Sequence, residues 1–160
     1  MSNVLNKTRQ AGFTLVELVI VILILGILSA VALPRFINLG VDARKAKAEG
    51  IYGAVRSANQ IVRAGALIRG ATGATGTVSV DGATIDVVYG YPKASDPNGI
   101  VTAAGLDATN DKVTVAVVAG TPPSVTITVD GAATAANCRI TYTEATAVLA
   151  PVIALSATAC

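Results

Sequence analysis

Residues 12–33 read GFTLVELVIVILILGILSAVAL, and this stretch decides the fold. At a rise of about 1.5 Å per residue, residues 13–33 are long enough to cross a hydrocarbon core of about 30 Å. The run therefore predicts a membrane-spanning helix. Glu17 is its only charged residue, and an ionised group inside a bilayer costs about 2.5–3.5 kcal/mol, so this carboxylate indicates a function and a partner.

Two simpler interpretations compete for this N-terminus. A secretory signal peptide would have a basic start and a small-residue cleavage site, which Ala30 to Ala32 ahead of Leu33 would provide. Glu17 and the length of the apolar run argue against it. A plain membrane anchor explains the length but not Glu17. Lys7 and Arg9 are the only charged residues among residues 1–12. This positive charge favours a cytoplasmic N-terminus.

Residues 12–17, GFTLVE, resemble the processing site of type IV pilins and the related pseudopilins. The resemblance implies that a prepilin peptidase cuts between Gly12 and Phe13 and methylates the new N-terminus at Phe13. Glu17 matches the acid that stands five residues into the mature chains of that family.

Three further stretches are similar to the mannose-sensitive haemagglutinin type of the type IVa pilins. They are residues 34–39 (PRFINL), 42–44 (DAR) and 86–92 (DVVYGYP). The resemblance therefore extends beyond the N-terminal motif and implies a filament subunit.

Glu17 has a physical role under this interpretation. Cleavage after Gly12 creates a positive amine at Phe13, which can pair with the Glu17 carboxylate of a neighbouring subunit or with that of its own chain, one helical turn away. Both pairings stay open. Since an unpaired charge in a low-dielectric environment is strongly destabilising, the pair would set the register of assembly.

The expected fold class is α+β, with a long N-terminal helix packed on an antiparallel sheet. We expect a leader at residues 1–12, a helix at 13–69 with its transmembrane part at 13–33, and a globular head at 70–160. Pro34 predicts a kink near residues 26–34, and Gly70 is a plausible helix cap. The predicted core positions recur at helical spacing: Ala48, Ile51, Val55, Ala58, Val62 and Ala66.

The head carries strand and turn signals. A hairpin is predicted around Asp81, Gly82 and Ala83, and residues 91–106 are predicted to form a loop with a short helix near 100–104. The predicted strands are residues 77–80, 84–89, 112–118, 125–129 and 138–143.

Cys138 and Cys160 are the only cysteines. In an exported chain they are expected to form a disulfide, and the resemblance likewise implies a C-terminal disulfide loop. Closing a loop of about 23 residues would stabilise the head by about 3 kcal/mol. The alternative is two free thiols.

The charges are unevenly distributed. Residues 13–69 carry seven cations and three acids, whereas residues 70–160 carry three cations and seven acids. Complementary charge between subunits is therefore a hypothesis. The basic cluster of Arg44, Lys45 and Lys47 lies on the long helix and the head is acidic, so no nucleic-acid partner is expected.

Enzymatic functions find little support. The chain has no histidine, and it has no phosphate-binding glycine motif followed by lysine. Asp107, Asn110 and Asp111 are possible calcium ligands, but their spacing departs from an EF-hand loop and a solvated turn is favoured. No catalytic residue, metal or cofactor is predicted.

We therefore expect a pilin. It would be a single-pass precursor in the inner membrane, then a homopolymer in the extracellular pilus of a Gram-negative-type bacterium, serving adhesion or motility. Alternatives within the class are a type II secretion pseudopilin or a minor pilin. An alternative from another class is a monomeric membrane-anchored or secreted binding domain.

Overall fold

A computed structural model describes residues 13–95, 97–158 and 160, except for the side chains of residues 34–38. Gly12 and the rest of the predicted leader lie outside this range. The chain divides into two compact units, Met1–Leu39 and Gly40–Cys160. The order of elements, helix first and antiparallel strands after it, confirms the α+β class.

Helix α1 covers Leu15–Ile68. It ends in a Schellman motif, because the Gly70 N–H donates to the Leu67 carbonyl and the Ala71 N–H donates to that of Ala66. Gly70 has a φ of 68°, which confirms its predicted role as the cap. The helix continues through Pro34. The kink expected there stays a prediction.

The strands of the second unit form two sheets, whereas one was expected. The first has the order β1-β2-β3, with β1 at Gly76–Val80, β2 at Ala83–Val88 and β3 at Tyr91–Pro92. The second has the order β4-β5-β6-β7, with β4 at Val113–Val118, β5 at Ser124–Val129, β6 at Cys138–Thr143 and β7 at Val152–Ala157. All pairings are antiparallel. Helix α2, Ile100–Ala103, confirms the predicted short helix, and Ala135–Asn137 form a 3₁₀ turn.

The predicted hairpin is confirmed, with a shorter turn. Asp81 and Gly82 have φ values of 49° and 81°, as a two-residue type I′ turn requires, and Ala83 already pairs with Val80. The interpretation of residues 91–106 as a loop missed β3, and β7 had no counterpart among the predicted strands.

All six predicted core positions of α1 are buried. Four of them, Ala48, Ile51, Val55 and Ala58, pack with β4 to β6 in the larger core. Val62 and Ala66 pack with β1 and β2 in a smaller core. One face of the helix therefore serves two sheets in succession.

Candidate assembly site

Thr14 and Glu17 cap the N-terminal end of α1. The backbone N–H and the hydroxyl of Thr14 both donate to Oε2 of Glu17, each at 2.9 Å, and the Glu17 N–H donates to the Thr14 hydroxyl oxygen at 3.2 Å. This is a capping box, in which a threonine and a glutamate three residues later satisfy free N–H groups at a helix start. Within the described residues, the other carboxylate oxygen, Oε1, accepts no hydrogen bond.

The sequence signal for this cap was available. Thr14-Leu15-Val16-Glu17 fits the pattern of a threonine or serine followed three residues later by an acid before an apolar run. The interpretation of Glu17 as a charge that needs a partner does not include this cap. The structure adds a role for it within the chain.

Residues Leu15–Leu33 form a candidate membrane span with a mean hydropathy of 2.9, and none of this segment is buried. Phe13, just before the helix, is 92% exposed. Because this apolar surface is costly in water, it needs lipid or other apolar helices around it. Glu17 is the one charged group on it.

Three cations of the second part of α1 bind backbone carbonyls of the head. Arg44 Nε donates to the Cys160 carbonyl at 2.6 Å, Arg63 Nη1 donates to that of Tyr89 at 2.8 Å, and Lys47 Nζ donates to that of Asp111. These three cations keep their charge, but part of their hydrogen-bonding capacity is used within the chain. Complementary charge between subunits stays a prediction.

Cys138 and Cys160 are bonded to each other in the structure, with their Cα atoms 4.8 Å apart. Cys138 begins β6, and Cys160 follows β7. The bond and the Arg44 contact together fasten the end of the chain to a strand inside the sheet and to the helix.

The loop around Asp107 uses its carboxylates for its own backbone. Asp107 accepts hydrogen bonds from the N–H groups of Asn110 and Thr109, which lower the pKa of its carboxyl below the ordinary value. Asp111 accepts one from the Asp107 N–H. No group of three or more potential metal ligands occurs in the parts of the chain that the structure describes.

Comparisons with known proteins identify one family model and several relatives. A family model described as the prokaryotic N-terminal methylation motif matches residues 7–33. The chain is 39% identical over 92 residues to the type IV narrow pilus major component PilA5 of Thermus thermophilus, covering 57% of this chain and 67% of the relative. It is 33% identical over 112 residues to the type IV major fimbrial protein FimA of Dichelobacter nodosus, covering 61% and 72%.

A third relative, the type IV major pilin protein PilA of Myxococcus xanthus, is 46% identical over 41 residues, which are 26% of this chain and 19% of the relative. No solved structure matches the chain.

An exposed apolar helix behind a methylation motif, followed by an α+β head, defines a class of membrane-inserted filament subunits. Within that class, the chain belongs to the type IV pilin family. It is a structural subunit of a pilus and not an enzyme. The apolar helix fits a membrane-anchored precursor, and the family fits an extracellular filament.

Proposed function

We propose that this chain is the major subunit of a type IVa pilus of the mannose-sensitive haemagglutinin type, which serves adhesion or motility in a Gram-negative-type bacterium. The observation that carries the proposal is a methylation motif, matched over residues 7–33, whose second part is a helix of exposed apolar side chains. Relatives named as major pilins support the role of main subunit, and the resemblance at residues 34–39 and 86–92 supports the subclass.

In this proposal, residues 1–12 are a leader, residues 13–69 the helix, and residues 70–160 the head. A prepilin peptidase cuts between Gly12 and Phe13 and methylates Phe13. Mass spectrometry of sheared filaments tests this directly, because the mature chain should begin with N-methylated Phe13. A mature chain that begins at Leu33 would instead identify a signal peptide.

We further propose that Glu17 directs assembly by its charge. Thr14 donates two hydrogen bonds to Oε2 in the described structure, so Oε1 is the oxygen that would accept a hydrogen bond from a Phe13 amine. That amine would belong to the same chain or to a neighbour. The capping role is separate from this charge, because a glutamine at the same position also completes a capping box.

Replacing Glu17 by glutamine removes the charge but keeps the cap. Glu17→Gln should leave the cap, the membrane insertion and the leader cleavage intact, but should abolish or strongly reduce filaments. Glu49→Gln is the matched control, because Glu49 is an exposed acid on the same helix, outside the apolar segment. Immunoblots of precursor and mature chain, with electron microscopy of sheared material, measure both steps. Normal filaments from Glu17→Gln would contradict the charge role.

The same preparations separate the alternatives. A minor pilin or a pseudopilin would be a trace component of the filament fraction, whereas a major pilin is its main protein. A monomeric binding domain would give no filament that contains this chain.

A further inference from the structure

We propose that an apolar tip of the β4–β7 sheet docks onto the C-terminal end of α1 in a second copy of the chain. The inference rests on the proposed function, since it names a surface through which filament subunits would contact each other. Both surfaces lie in the unit Gly40–Cys160.

The first surface, the hairpin tip, comprises the exposed side chains Val118, Val148, Leu149 and Val152. They belong to two hairpin ends at the same end of the sheet, because the register places Val118, Ser124, Thr143 and Val152 in one row across the four strands. The Glu144 N–H donates to the Pro123 carbonyl at 3.0 Å, which joins the two hairpin ends side by side.

The hairpin tip is both exposed and uncharged. Val148 is 86% exposed and Leu149 is 68% exposed. Neither residues 117–123 nor residues 145–152 include a charged side chain. A group of exposed apolar side chains at one end of a sheet is a sign of an interaction site.

The second surface, the helix-end patch, comprises Ile61, Ala64, Leu67 and Ile68, all of which are exposed. Val62 and Ala66 face the β1–β2 core, so the patch lies on the outward side of the helix. Ile68 is 86% exposed. Arg63 leaves the patch clear, because its guanidinium donates to the Tyr89 carbonyl and lies 4.4 Å from the centre of the Tyr91 ring.

The hairpin tip of one copy would contact the helix-end patch of a second copy. Both surfaces are exposed in one copy, so they do not cover each other within the chain. The side chains that form both surfaces are aliphatic, so their contact would bury apolar area against apolar area. A contact between two different patches is heterologous, and when its rotation does not close into a ring it builds an open helical array, which is the symmetry that a filament requires.

Thiol cross-linking in assembled filaments tests this contact. The described cysteines are both in the disulfide, so introduced thiols would be the reactive ones. Full-length Val148→Cys/Ile61→Cys subunits are assembled, sheared from cells and treated with a short bismaleimide. A non-reducing gel should show a ladder of dimers and higher species, because each copy carries both halves of the contact.

The controls are each single variant and the pair Ala133→Cys/Ile61→Cys, since Ala133 is an exposed residue in the β5–β6 connection at the opposite end of the sheet. These should remain monomeric on the gel. Filaments whose Val148→Cys/Ile61→Cys subunits stay monomeric would overturn the inference, as would equal cross-linking of Val148→Cys alone.

Charge exchange gives a second, independent readout. Leu149→Asp and Ile68→Lys should each lower filament yield, and the double variant should regain it, because an ion pair would replace the apolar contact. If the double variant shows the sum of the two losses in filament yield, the result contradicts the contact. Absence of filaments from the unmodified chain would instead overturn the proposed function itself.

Discussion

At the scale of single residues, Gly90 shows how a turn is shaped around one guanidinium group. Tyr89 and Gly90 have φ values of 49° and 79° and form the two-residue turn between β2 and β3. A Cβ atom on Gly90 would collide with Nη1 of Arg63, which donates to the Tyr89 carbonyl. Gly90 is therefore required both for its backbone conformation and for the space it leaves.

Gly90→Ala should consequently destabilise the head more than Gly82→Ala does. Gly82 has nearly the same φ, 81°, but a Cβ atom there would meet nothing within 4 Å. Gly82→Ala, the control, should lower the free energy of unfolding by about 1 kcal/mol through backbone strain. Gly90→Ala should lower it by about 2–3 kcal/mol. Urea unfolding of the full-length protein in detergent measures both. Equal losses would show that Arg63 moves aside freely.

At the scale of elements, α1 packs on two sheets along its length, and it lies close to the first sheet at Gly65. A Cβ atom there would lie 2.9 Å from Cγ1 of Val78 in β1. The helix and the first sheet therefore meet where the helix has no side chain.

Gly65→Leu should force β1 away from the helix and destabilise the smaller core by about 1–3 kcal/mol, the usual cost of overpacking. Gly53→Leu is the matched control, because a Cβ atom at that position meets nothing within 4 Å. The control should be neutral or slightly stabilising, since glycine is a poor helix former. Thermal unfolding followed by circular dichroism compares them, and a neutral Gly65→Leu would contradict the close approach.

The sequence predicted these elements unevenly, for physical reasons. The core face of α1 was found at all six positions because one repeat of about 3.6 residues persists from Ala48 to Ala66. Strand β7 was missed because its sequence, VIALSA, lacks the alternation that marks a half-buried strand. The contacts of Arg44 and Lys47 were missed because their acceptors are backbone carbonyls, which every residue has.

At the scale of the whole head, one hydroxyl joins three elements. Tyr142 is fully buried in β6, and its hydroxyl donates to the Pro92 carbonyl in β3 at 2.6 Å. Asn59 of α1, a buried polar residue, has its Oδ1 3.5 Å from that same hydroxyl. Burial, with a smaller contribution from Glu144, raises the pKa of Tyr142 above its ordinary value of 10.0.

This shift predicts an alkaline loss of stability. Below pH 10 the phenol is neutral in both states, and above it the unfolded chain releases the proton that the folded chain keeps. Stability should then fall by about 1.4 kcal/mol per pH unit. Tyr142→Phe should lose about 1–3 kcal/mol at pH 7, since it leaves the Pro92 carbonyl unsatisfied, and should remove this alkaline fall.

Tyr52→Phe is the control, because Tyr52 is a partly buried tyrosine of α1 outside this contact. Unfolding in urea at several pH values between 7 and 11 gives both profiles. An unchanged alkaline fall in Tyr142→Phe would assign it to another group.

The β6–β7 hairpin is connected at both ends, by its turn at residues 144–151 and by the bond between Cys138 and Cys160. It is therefore a covalent ring with an edge strand as one side. While the Cys138–Cys160 bond is intact, β7 therefore cannot peel away from β6 as a free end. Tension on this part of the subunit would be carried by the covalent bonds of the ring, which limit how far the two strands can separate.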